Sequence, residues 1–236
     1  MEPLYIYDQI GGEGVTARQV VEQLSERDGD IEVRINSGGG IVSQGVAIYN
    51  AIKGYTGGKV VVYVDGLAAS IASIIALAGE ELIMAEGSLI MWHDAHTAMA
   101  GNAVDFRKEA EVLEQHNATL IDIYASNTTL SREEIDAMMA EETWLTASEA
   151  YELGIATGIA GELKQAASIN LDHYNNAPNS LLDILNLEPE NNAIIDPDLH
   201  SGDDCECPDC TEGNDNFARL EAAHQRLAII TKLASL

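Results

Sequence analysis

Apolar positions change period repeatedly along this chain, and the changes mark out its elements. Leu4–Tyr7 alternates and predicts a strand. Thr16-Ala-Arg-Gln19 has capping-box spacing and predicts a helix running to about Glu26. Ile31–Ile35 predicts a second strand, followed by Asn36-Ser37-Gly38-Gly39-Gly40, a loop with almost no side-chain bulk. A helix is expected from Val42 to about Ile52, and a β-branched strand over Lys59–Val64. Gly66 to Ser70 reads as a tight turn of small residues. Ser70 to Ala78 is apolar nearly all round and predicts a buried helix.

Two short strands are expected at Glu81–Met84 and Leu89–Trp92. A long amphipathic helix follows, from Asn102 to about Ser126, with Val104, Val112, Leu113, Leu120 and Tyr124 on its apolar side. Capping boxes at Ser131-Arg-Glu-Glu134 and Thr146-Ala-Ser-Glu149 open two further helices. This alternation of strand and helix predicts a parallel sheet with right-handed crossovers. The compact pattern ends near Ala160.

Composition changes after that point. Residues 166–216 are rich in Asn, Asp and Pro, and Asp183–Asp215 contains no Lys or Arg. Such a segment reads as a flexible acidic linker. Helical periodicity returns in 217–236, with Leu220, Leu227 and Ile230 on one side. The expected organisation is an α/β domain over 1–165, a linker over 166–216 and a short terminal helix over 217–236.

The formal net charge of −27 disfavours nucleic acid and anionic membrane surfaces as partners and favours basic ones. An acidic residue and a strand follow Met1 directly, no run of apolar residues reaches membrane-span length, and the three cysteines cluster near the C-terminus. The expectation is a cytoplasmic protein without a disulfide framework.

Three features suggest chemistry. Asp65-Gly-Leu-Ala-Ala-Ser70 places a serine where a helix begins, following the logic of a nucleophile elbow without its usual Gly-x-Ser-x-Gly spelling. Helix-start N–H groups there suit a developing oxyanion. The glycine run Gly38–Gly40 follows another strand and can turn backbone N–H groups into a site, although a plain flexible turn is an equal reading. Met91-Trp92-His93 ends a strand in a histidine, the usual partner for an activated serine, although a lone histidine there is more often structural.

The segments INSGGG, DGLAASIASIIALAG, SLIMWHDA and ETWLTASEAYELGIA, in this order and spacing, resemble the Clp peptidase family, and most of all its bacteriophage branch of head maturation proteases. The resemblance covers roughly residues 4–160. It implies a Clp/crotonase-like spiral of ββα units, with the helix from Asn102 to Ser126 projecting as an oligomerisation handle in a ring-like homo-oligomer. It implies Ser70 as nucleophile, His93 as general base, and the N–H groups of Gly40 and Ile71 as oxyanion hole, with Gly39 in place of Gly40 if the register of the glycine run slips by one. The family's third residue is usually Asp; the matching position is Glu142, with Glu141 and Asp136 as nearby substitutes.

The activity so implied is serine endopeptidase without a cofactor, acting on capsid or scaffold protein, with portal or shell components as partners. The chain starts almost at its first strand, which argues against coupling to an ATPase unfoldase. Two alternatives stay open: an ATP-dependent Clp peptidase subunit, and an inactive capsid-assembly protein. A crotonase-like acyl-CoA enzyme would need carboxylates at the site and basic residues for CoA phosphates, and this chain has few of the latter. Of the remaining chemistry-bearing residues, Ser73 reads as a small helix-packing residue, His96 as solvated, and His116 as a possible inter-subunit contact. His200, Cys205, Cys207 and Cys210 are four soft ligands that could close on one Zn²⁺, though Cys-x-Cys is tight for a zinc knuckle and reduced thiols are the commoner case.

Overall fold

The computed structural model describes residues 2–161 and residue 178. The linker, the terminal helix and the cysteine cluster lie outside the described residues, as does the boundary placed at 165. Within them the elements run β1 (Leu4–Ile6), α1 (Ala17–Ser25), β2 (Ile31–Ser37), α2 (Val42–Lys53), β3 (Val60–Ala69), α3 (Ile71–Ala76), β4 (Glu81–Ala85), β5 (Leu89–Trp92), α4 (Ala103–Asn127), α5 (Arg132–Ala140), β6 (Thr143–Thr146), α6 (Ala147–Glu152) and β7 (Gly158–Ala160).

The described strands form one seven-stranded sheet that forks along β3. The first half of β3, Val61–Val64, pairs in parallel with β4, which continues to β7. Its second half, Leu67–Ala69, pairs in parallel with β5, and β5 pairs antiparallel with β6. On the other side β3 pairs with β2, and β2 with β1, all in parallel. Alternate residues Val33, Ile35, Val62 and Val64 are buried with Ile48, Ile52 and Ile74 from the helices in one apolar core.

The fork corrects the reading of Gly66–Ser70 as a turn. β3 runs straight through to Ala69, because β5 supplies a pairing partner there and the small side chains of Ala68 and Ala69 are fully buried against it. Asn36 and Ser37 likewise belong to β2 rather than to the loop. The β2–β3 register shifts between Ile35 and Ser37, and the buried Asn36 fills the gap by accepting from the Leu67 amide at 3.0 Å. The three anticipated capping boxes are as read, at Thr16, Ser131 and Thr146, and Asn102, the expected start of the long helix, closes a fourth.

The helix expected from Ser70 to Ala78 is shorter, six residues from Ile71, and Ser70 stands outside it. The apolar side anticipated for α4 divides in two. Leu120, Ile121 and Tyr124 are buried, whereas Val104, Phe106 and Val112 in the N-terminal half are exposed. No helix among the described residues is long and apolar enough to cross a membrane.

Candidate active site

Strand register brings the serine and the histidine together. Ala69 pairs with Met91 at the ends of β3 and β5, and the Ser70 amide donates to the Met91 carbonyl at 3.0 Å. Ser70 and His93 are therefore the first residues beyond two adjacent parallel strand ends. Ser70 Oγ lies 2.8 Å from His93 Nε2. Ser70 can give up its proton along this contact only if the imidazole carries its own proton on Nδ1.

Ser70 has φ 55° and ψ −130°, a backbone conformation that side chains rarely adopt. It makes no side-chain capping bond to α3, so its hydroxyl is directed to the histidine instead. The strained turn replaces the glycine-flanked elbow that the sequence lacks.

Glu142 reaches the site through β6, an element that the local pattern does not announce. Trp92 pairs with Thr143 in the antiparallel β5–β6 ladder, which places Glu142 across from His93, one step past the last pair. Glu142 also has positive φ, 52°, at the end of α5, where its amide donates to the Met139 carbonyl at 3.1 Å. Trp144 Nε1 donates to Glu142 Oε1 at 3.3 Å. Glu141 and Asp136, the substitutes for this position, are exposed, and Asp136 acts electrostatically on Asp94.

Burial pushes the His93 imidazole down to about 4; the nearby His96 lowers it further and Glu142 raises it. His93 is thus neutral at pH 7 and can accept a proton. His96 is exposed in the loop beyond, its ring edge-on to His93 with centroids 5.0 Å apart.

The two glycines play different parts. Gly39 has φ 90°, and a Cβ there would lie 2.7 Å from both the Ala69 carbonyl oxygen and Ser70 Cβ, so a side chain is excluded beside the nucleophile. Its amide donates to Ser37 Oγ at 3.1 Å, and Ser37 Oγ donates to the Asp8 carbonyl at 2.5 Å. Gly40 packs against Ile10, where a Cβ would come within 2.3 Å of the Ile10 carbonyl oxygen. The bridge to Ile10 uses the Gly39 carbonyl and the Ile41 amide and leaves the Gly40 N–H out. Ile71 is the first residue of α3, so its N–H has no acceptor within the helix.

A polar cluster lies beneath this edge. Arg34 binds the buried Asp65 with two donors, Nε to Oδ2 at 2.8 Å and Nη2 to Oδ1, and the Tyr7 hydroxyl donates to the same carboxylate. The Arg34 guanidinium also lies over the Tyr63 ring, 5.0 Å from its centroid. Among the described residues, no group of three or more His, Cys, Asp or Glu could hold a metal ion.

A family model described as Clp protease matches residues 5–162. The chain belongs to the Clp protease family. Members of this family are serine peptidases, and the chain is a peptide hydrolase. It is 35% identical over 129 residues to ATP-dependent Clp protease proteolytic subunit 1 of Chlamydia abortus, covering 53% of this chain and 67% of that one. It is 33% identical over 128 residues to proteolytic subunit 2 of Corynebacterium diphtheriae, covering 53% and 64%. Among solved structures, a point mutant of ClpP1 from Listeria monocytogenes matches with a TM-score of 0.59 and 28% identity, over 69% of this chain and 92% of that one. These relatives are bacterial Clp subunits, and the phage branch is a finer assignment.

Proposed function

We propose that this Clp-family chain is a serine endopeptidase in which Ser70, His93 and Glu142 act together. The observation that carries the reading is the 2.8 Å contact between Ser70 Oγ and His93 Nε2 at two register-paired strand ends. Ser70 Oγ attacks the scissile carbonyl carbon as its proton passes to His93 Nε2. The tetrahedral oxyanion takes hydrogen bonds from the Ile71 N–H and from the Gly40 N–H, since the Gly39 N–H already donates to Ser37 Oγ. Collapse breaks the peptide bond, and the departing amine takes the proton from His93. Water then repeats the sequence on the acyl-enzyme and releases the acid. Glu142 stabilises the imidazolium formed in each half-reaction, consistent with its effect on His93.

The finer reading is an ATP-independent enzyme of the phage head maturation kind, assembled as a ring-like homo-oligomer and cutting scaffold or capsid protein. Its supports are the motif resemblance, the exposed apolar residues Val104, Phe106 and Val112 of α4, and the acidic 166–216 segment, which suits a basic partner surface. The names of the relatives favour a second reading, an ATP-dependent proteolytic subunit. The purified chain, incubated with a phage scaffold or capsid protein and with no ATPase, separates the two. Discrete cleavage products support the head-maturation reading. Cleavage that needs an added unfoldase and ATP supports the second.

A further inference from the structure

A buried polar chain stands behind the nucleophile and takes no part in the proton transfers above. Ser73 is fully buried one turn into α3. Its hydroxyl donates to the Ser70 carbonyl at 2.5 Å and lies 2.7 Å from the Tyr124 hydroxyl. Ser73 has a single hydroxyl proton, committed to the Ser70 carbonyl, so Tyr124 must be the donor in the second bond. Burial holds the Tyr124 phenol well above its usual range, which keeps that proton in place. The chain therefore runs from Tyr124 O–H to Ser73 O–H to Ser70 C=O. The Ser73 amide donates to the same carbonyl at 3.0 Å.

Tyr124 belongs to α4, and its ring stacks on Trp92, the residue before His93, with centroids 3.9 Å apart and planes 24° from parallel. On the same helix Asn117 accepts from the Ala95 amide at 2.8 Å, just beyond His93. One helix thus holds the backbone on both sides of the Ser70–His93 contact.

The Ser70 carbonyl and the Ile71 N–H are two ends of one peptide unit. A planar trans peptide points them in opposite directions. Two donors fixed on the carbonyl stop the plane from rotating and so set the direction of the N–H. Donation to the carbonyl also polarises the peptide and makes its N–H a stronger donor. We propose that Ser73 and Tyr124 are positioning residues for the oxyanion hole, acting through the Ser70–Ile71 peptide rather than on substrate. The inference rests on the reading of Ser70 as nucleophile and Ile71 N–H as oxyanion donor.

The test compares the full chain with Ser73→Ala, Tyr124→Phe and the double variant. The readouts are kcat and KM on a short peptide ester, the affinity of a peptide boronate, and Tm. The boronate accepts Ser70 Oγ and becomes a tetrahedral anion that occupies the oxyanion site. Ser73→Ala should lower kcat about tenfold and Tyr124→Phe about threefold, well short of the roughly 100- to 1,000-fold loss on deleting an oxyanion donor. KM should stay within about twofold, and boronate affinity should fall by the same factor as kcat.

Because Tyr124 acts only through Ser73, the double variant should have the kcat of Ser73→Ala. Its Tm should nonetheless exceed that of Ser73→Ala, in which the Tyr124 hydroxyl loses its acceptor while still buried. Tm recovering without kcat separates positioning from simple packing. The inference is overturned if both single variants keep wild-type kcat and boronate affinity, or if kcat recovers together with Tm in the double variant. A wild-type chain that neither turns over the ester nor binds the boronate overturns the reading of Ser70 itself, a distinct result that takes this inference with it.

Discussion

Ser70 and Glu142 are the two non-glycine residues with positive φ among the described residues, at 55° and 52°. Each stands at a junction between a strand and a helix, Ser70 after β3 and Glu142 before β6. Backbone strain of this kind costs of order 1–3 kcal/mol per residue and persists where the surroundings over-determine it. At Ser70 the hydroxyl meets His93 Nε2 at 2.8 Å, and Glu142 raises the same imidazole electrostatically.

Glu142 should matter less than the residues that make and break bonds. Glu142→Gln is expected to reduce kcat by roughly one to two orders of magnitude less than Ser70→Ala or His93→Ala. Steady-state kinetics on a small ester checks the order. A loss equal to that of Ser70→Ala would show that the carboxylate is as indispensable as the nucleophile.

The pH profile should carry the mark of a buried base. His93 accepts a proton only when neutral, and burial holds it at about 4, so kcat/KM should stay level from neutrality down to about pH 5 and fall near 4. Glu142→Gln removes a group that raises His93, so the acid limb should move lower still. An acid limb at the ordinary imidazole value of about 6.5 would contradict the burial argument.

Stability should respond to the same group. The unfolded chain takes up a proton on this histidine near 6.5 and the folded one only near 4. The unfolded state is therefore favoured progressively as pH falls through that window, and the effect is absent above it. His93→Gln, which removes the titration, should flatten Tm between pH 6.5 and 4 relative to wild type. An unchanged slope would place the titrating group elsewhere.

Gly39 tests the packing beside the nucleophile. Gly39→Ala would set a methyl 2.7 Å from the Ala69 carbonyl oxygen and Ser70 Cβ at a φ of 90°. Activity should fall to the level of Ser70→Ala, and stability should drop by about 1–3 kcal/mol. Gly12→Ala is the control, since φ is also positive there, at 61°, and the space is open. It should lower Tm slightly and leave kcat intact. Undiminished activity in Gly39→Ala would mean that the glycine loop stands away from the serine.

Much of this site is legible in the sequence, for local reasons. Capping boxes and amphipathic periodicity are short-range signals; the first mark the starts of α1, α5 and α6, and the second marks α4, each within about a residue. The serine and the histidine stand at element ends, where their local patterns already point. The forked sheet is not legible, because pairing of Leu67–Ala69 with β5 is a long-range choice that the small residues of 66–70 hide as a turn. β6 escapes for the same reason. Thr143–Thr146 is four residues long, and only its register with Leu89–Trp92 makes it a strand. Ser73 illustrates a third limit. Its sequence context reads as that of a small packing residue, and its burial agrees, but nothing local foretells a partner as distant as Tyr124.

Activation of Ser70 by His93 can be read from a single reaction, labelling by a fluorophosphonate probe at pH 7, followed by intact mass and peptide mapping. The expected result is one adduct per chain, on Ser70, absent in Ser70→Ala and strongly slowed in His93→Ala. Labelling that persists in Ser70→Ala, or no labelling of a folded wild-type chain, would show that Ser70 is not the nucleophile.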